Sequence, residues 1–175
     1  MKTKLLFVFA AIVFIVAFTS CRKKCGIKDS ENYDKHGDCI FRFCTDIQIN
    51  SFPVKKPNGA QWDTTSTGPC DSTCAPDLKL ILKRATSYMA NTTTAWDFSG
   101  NSIQLPIWVD YYGQPWYIQL TRETWTFELV DIDNTTTGSG EVIGVGTFNP
   151  LEQGSNGEIN VTGTNGVSVT IKYRN

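Results

Sequence analysis

Apolar residues recur at every second position in several short runs of this chain, and turn-forming residues separate the runs. Phe41, Phe43, Ile47 and Ile49 alternate with Arg42, Cys44, Asp46, Gln48 and Asn50, the period of a half-buried strand. Leu78, Leu80 and Leu82 alternate with Lys79, Ile81 and Lys83, and Trp125, Phe127 and Leu129 share one face of a third run. Shorter, aromatic-rich candidates occur at 106–109 and 117–120. Residues 142–148 form another apolar run, in which Gly144 and Gly146 leave room for a bulge or a close approach. The chain ends in a hairpin pattern: 158–161, a turn at 163–166, then Val167, Val169, Ile171 and Tyr173. Residues 84–101 are ambiguous, because Ala85-Thr-Ser-Tyr-Met-Ala90 suits a short helix while Asn91-Thr-Thr-Thr94 does not. Seven or eight such strands with turn-rich connections predict an all-β fold, an antiparallel eight-stranded β-sandwich. From Cys39 onward about 135 residues are available, enough for one domain with an adequate core.

The first residues follow a different rule. Met1-Lys-Thr-Lys4 is basic, residues 5–18 are almost wholly Leu, Val, Ile, Phe and Ala, and Thr19-Ser20 precede Cys21. This is the pattern of a signal peptide, with an apolar run short for a membrane span. A small residue directly before a Cys at the end of that run resembles the bacterial lipoprotein signal, in the relaxed, Bacteroidetes-like form that accommodates Phe18. The resemblance implies removal of residues 1–20 and lipidation of Cys21, with enough acyl chains for firm anchoring. Residues 21–38 are polar and charged and read as a flexible tether. Arg22-Lys-Lys24 at its start adds attraction to anionic headgroups. Arg22 stands where an acidic residue would signal inner-membrane retention. The expected location is therefore the bacterial cell envelope, at the periplasmic face of the outer membrane or at the cell surface. Residues 39–175 are then the sandwich domain.

Charge and cysteine content narrow the chemistry. The formal net charge is −1, and it becomes more negative when the signal leaves with Lys2 and Lys4. No nucleic-acid partner is expected, since that requires a basic face. Six cysteines leave an odd number after Cys21, which in an oxidising compartment suggests two disulfides and one free thiol. Cys70 and Cys74 are placed to close a local staple, while Cys25, Cys39 and Cys44 compete for the second bridge. A zinc site from Cys25, His36, Cys39 and Cys44 is the less favoured alternative, because its spacing matches no common zinc pattern.

The most chemically pointed stretch is Asp131-Ile-Asp133-Asn-Thr-Thr-Thr-Gly138-Ser-Gly140-Glu141-Val-Ile-Gly144. Two carboxylates at i and i+2 of a strand end project to one side. They repel unless solvent, a base or a hard cation offsets them, and this loop holds no Lys or Arg. The order Asp-x-Asp, loop, acid, apolar pair and Gly resembles the third calcium loop of C2 domains, the calcium- and phospholipid-binding β-sandwich family. Upstream, Cys74-Ala-Pro-Asp77-Leu-Lys-Leu resembles the run that opens the family's second strand, and Leu105-Pro-Ile-Trp108 resembles its Asn-Pro-x-Trp element. The resemblance spans about residues 40–173 and implies Ca²⁺ held by Asp63, Asp77, Asp131, Asp133 and Glu141. It departs from the family in having Pro76 before Asp77, a long span from Asp63 to Asp77 that holds a Cys pair, and Glu as the last acid.

Catalysis finds little support. His36, the sole histidine, falls in the tether, which removes a Ser-His-Asp or Cys-His arrangement from the sandwich. The sequence therefore predicts a non-catalytic, calcium-dependent binding module that contacts phospholipid or a protein partner and is held to the membrane through its N-terminal lipid. The alternative is a glycan-binding or structural envelope sandwich without metal. It would use Trp96, Trp108, Tyr111, Tyr112, Trp116 and Tyr117, whose simpler use is core packing.

Overall fold

Strands form where the alternation is strongest, and they build two antiparallel sheets. The structure is a computed structural model that describes residues 23–62, 75–96, 98–108, 118–132 and 140–175. The chain divides into two units, Met1–Ile40 and Phe41–Asn175.

The second unit holds the strands β1 (Arg42–Ser51), β2 (Leu78–Arg84), β3 (Ser87–Thr92), β4 (Ile103–Trp108) and β5 (Ile118–Leu120). It continues with β6 (Trp125–Asp131), β7 (Glu141–Phe148), β8 (Glu158–Thr162) and β9 (Ser168–Arg174). One sheet runs β8-β9-β1, with β4 and β5 both on the far edge of β1; the other runs β7-β6-β2-β3-β4. β4 belongs to both. Its residues 103–106 pair with β1 and its residues 107–108 pair with β3. Pro106, which has no N–H to give a ladder, stands at the change of sheet.

The described residues form nine strands, where eight were expected. The addition is β3, in the segment for which a short helix was an option. Arg84 pairs with Ser87 across the two residues Ala85-Thr86, and Ala85 takes φ 51°, so the segment closes a hairpin against β2. An isolated helix of about six residues cannot repay its nucleation cost, whereas a strand here gains a ladder at once.

The core lies between the sheets. Leu78, Leu80 and Leu82 of β2 and Trp125, Phe127 and Leu129 of β6 face Ile47, Ile49, Val169 and Ile171, all fully buried. The phase of β1 differs from the expected one. A bulge at Thr45 interrupts its pairing with β9 between Cys44 and Asp46. Arg42 and Cys44, not Phe41 and Phe43, are therefore buried on the strand's first half. Arg42 is accommodated by donating to the carbonyls of Pro150 and Gln153 and by lying over the Tyr173 ring. A buried guanidinium is tolerated only with such partners.

In the first unit, Cys25 and Cys39 form a disulfide. Lys24 and His36 make an antiparallel bridge, and the Cys25 amide donates to the Lys35 carbonyl. Residues 25–39, most of which fall in the stretch 21–38 read from sequence as a flexible tether, are thus a closed loop. The bond also uses up two of the four groups of the zinc alternative, which it overturns. Cys44 is free and buried, so of the three cysteines that compete for this bridge Cys25 and Cys39 take it. Cys21, Cys70 and Cys74 lie outside the described residues.

Candidate functional site

Registers fix which acids meet. Leu78 pairs with Asp131, and Asp131 pairs with Glu141, so the start of β2, the end of β6 and the start of β7 lie side by side. The Asp77 amide donates to Asp131 Oδ1 at 2.8 Å, and the Ile132 amide donates to the Asp77 carbonyl at 3.0 Å. On the other flank Phe98 donates to the Pro76 carbonyl, and Ala95 exchanges two backbone bonds with Leu78. The backbone of residues 76–78 is therefore held from both sides. Three of the five predicted acidic positions, Asp77, Asp131 and Glu141, share one edge.

These three acids are not equivalent. Asp131 continues the inward face of Trp125, Phe127 and Leu129 and is fully buried, with its carboxylate engaged by a backbone N–H. Glu141 is exposed and forms an ion pair with Lys56, Nζ to Oε2 2.5 Å. Among the described residues no group of three or more His, Cys, Asp or Glu is arranged to hold a metal. Asp63 and Asp133 lie outside the described residues. The donor set suits a hard cation in kind, being all oxygen. Its described part supplies the buried Asp131 and the exposed Glu141 on adjacent strands, with the half-buried Asp77 just before β2.

Lys56 is the residue that sequence reasoning missed. The acidic loop holds no base of its own, but the β1–β2 connection brings one to it from 85 positions away in the chain. Lys55-Lys56 beside the turn Pro57-Asn-Gly59 was the available signal, and only the fold shows where that turn lands. The turn is well held. The Lys56 amide donates to the Ala60 carbonyl, Gly59 (φ 83°) donates to the Lys56 carbonyl, and Trp62 Nε1 donates to the Pro53 carbonyl. Trp62 is buried, and the Lys56 ammonium lies 5.6 Å from its ring centroid, a cation–π geometry.

The same end of the sandwich carries exposed apolar side chains. Val54, Trp96 and Val142 are 67 %, 54 % and 49 % exposed. Beside Val54 lies a cavity of about 220 Å³ lined by Phe52, Val54, Lys55, Pro76 and Phe98 among others. Residues 133–139 of the acidic loop lie outside the described residues. Of the aromatic residues assigned to a glycan surface, Trp96 is exposed; the side chain of Trp108 and residues 111, 112, 116 and 117 lie outside the described residues.

The segment after the acidic loop has its own packing logic. Ile143 is a bulge residue, since Leu129 pairs with Gly144 and Val130 with Val142. The 3-10 turn Thr164–Gly166 covers the outer edge of β7 there. Thr164 Oγ1 accepts the Val145 amide, and Asn165 Nδ2 donates to the Ile143 carbonyl. Side chains that occupy an edge in this way block pairing with another chain.

No family model matches the sequence, and no curated protein matches it. Among solved structures the chain is similar to one described as the structure of a C2 domain, with 9 % identity and a TM-score of 0.43, covering 76 % of this chain and 95 % of that one.

Proposed function

We propose that this chain is the non-catalytic binding module of a lipid-anchored protein of the bacterial cell envelope. It works at the loop edge, taking Ca²⁺ and meeting a phospholipid surface. The observation that supports this most is the bond from the Asp77 amide to Asp131, with Glu141 in register beside it. It ties the backbone at Asp77 to the carboxylate of Asp131 at the end where Val54, Trp96 and Val142 are exposed and Lys55 is at hand. Asp131 and Glu141 would supply oxygens to the ion, with Asp77, Asp63 and Asp133 as the further ligands. Affinity in the range of about 10⁻⁴–10⁻³ M fits an extracellular module. The bound ion would supply a positive charge that bridges the edge to anionic headgroups, while the exposed apolar side chains enter the interface beside it.

Anchoring at Cys21 completes the reading. The Cys25–Cys39 bond sets their Cα atoms 5.0 Å apart. The longest path from Cys21 to Cys39 falls from roughly 60 Å to roughly 20 Å at about 3.5 Å per residue, so the lipid holds the chain close to the bilayer.

The test is co-sedimentation of the mature chain, residues 21–175 produced without the signal and kept unlipidated by Cys21→Ser, with vesicles of phosphatidylserine and phosphatidylcholine. Binding in millimolar CaCl₂ that is lost in EGTA, and weakened by Val54→Asp/Trp96→Asp, supports the proposal. Equal sedimentation with CaCl₂ and EGTA overturns the calcium part, and no sedimentation in either overturns the phospholipid part.

A further inference from the structure

We infer that Lys56 is a built-in competitor for the cation, setting how much Ca²⁺ the acidic edge needs before it responds; the inference rests on the calcium reading above. The Lys56 ammonium is already on Glu141 Oε2 at 2.5 Å. Its side chain is 17 % exposed against 47 % for Glu141, so the pair joins a largely sequestered lysine to a carboxylate that solvent can reach. Exposed ion pairs gain little largely because two long side chains must be immobilised to make them. Here the fold has done most of that. Both backbone groups of Lys56 are bonded within the 56–60 turn, and the ammonium rests near the ring of the buried Trp62.

Such a lysine acts on Ca²⁺ in two ways. It occupies an oxygen of Glu141 that the ion would use, and it places a unit positive charge beside a divalent one. Both raise the Ca²⁺ concentration at which the edge fills. Binding would displace Lys56 from Glu141 and leave an ammonium, next to Lys55, at the edge that faces headgroups. The arrangement thus makes Lys56 a threshold residue for the ion and a reporter of its arrival.

The experiment titrates CaCl₂ into the mature chain, residues 21–175 with Cys21→Ser, and its Lys56→Met and Lys56→Arg variants, following the midpoint by calorimetry. Methionine keeps an apolar stem near Trp62 without the charge, and arginine keeps the charge. The midpoint should fall about tenfold in Lys56→Met, the size expected of one charge beside a divalent ion at near-aqueous screening. It should stay within about twofold of wild type in Lys56→Arg. In the wild-type chain, the Lys56 Nζ resonance should move with the same midpoint, a readout that stands even if Lys56→Met fails to fold. A wild-type response with an unmoved Nζ resonance, or with equal midpoints in wild type and Lys56→Met, overturns the role of Lys56 and leaves the calcium reading intact. No response to Ca²⁺ in any of the three proteins overturns both.

Discussion

The amide of Asp77 donates to Oδ1 of Asp131 across 54 positions of sequence, at 2.8 Å. The bond ties the strand that leaves one loop to the strand that enters another. It also gives Asp131, fully buried at the end of the inward face of β6, a partner that a buried polar group requires. Asp131→Ala leaves the Asp77 N–H without this acceptor and should cost about 1–3 kcal/mol. Asp131→Asn keeps an amide oxygen in place and should cost clearly less. Urea denaturation of the two variants checks this, and equal losses would show that the hydrogen bond is not what Asp131 contributes.

Gly144 has a packing role independent of any metal. A Cβ there would stand 2.5 Å from Val167 Cγ2 and 2.8 Å from the Thr164 carbonyl oxygen, where the 3-10 turn presses on β7. Gly144→Ala should destabilise the sandwich by about 1–3 kcal/mol, the usual cost of overpacking. The midpoint of urea unfolding measures it, and no change would mean that the turn moves aside freely.

The cysteines make a third prediction. Burial first, and the neighbouring Asp46 carboxylate second, push the Cys44 thiol far above its ordinary range. In the folded protein Cys44 should resist iodoacetamide up to pH 9, and Cys25 and Cys39 should not react without reductant. Unfolding without reductant should expose Cys44 alone of the three. The sign of the pH effect follows. The folded thiol keeps its proton while the unfolded one ionises near its ordinary value of about 8.5, so the folded state binds more protons above that pH. Stability should therefore fall as pH rises beyond about 9, by up to about 1.4 kcal/mol per pH unit from this group. Cys44→Ala should show a shallower fall than wild type.

Most of the sandwich was legible because its strands alternate cleanly. Leu78, Leu80 and Leu82 against Trp125, Phe127 and Leu129 could be read as two inward faces before any pairing was known. The failures are local. The bulge at Thr45 reverses the phase of β1, and nothing in Phe41-Arg-Phe-Cys-Thr announces it, because a bulge is set by the partner strand. Ser87–Thr92 was ambiguous because Ala85-Thr-Ser-Tyr-Met-Ala90 tolerates either conformation, and its ladder with β2 decided the matter. The adjacency of Asp77, Asp131 and Glu141 along one edge followed from treating two loops as one, although among the described residues no three acids are arranged to hold a metal. Lys56 did not, since a base supplied by a third connection leaves no mark in the acidic stretch itself.

The central claim is that the loop edge takes Ca²⁺, and the most direct test is thermal unfolding of the mature chain, residues 21–175 with Cys21→Ser, in 10 mM CaCl₂ and in EGTA. With a Kd of about 10⁻⁴–10⁻³ M, the ion should add about 1.4–2.7 kcal/mol of stability, a rise of several degrees in Tm. Asp133→Asn/Glu141→Gln, which leaves the bond between Asp77 and Asp131 intact, should abolish that rise. Superimposable melting curves of the wild-type protein in CaCl₂ and EGTA would contradict the account.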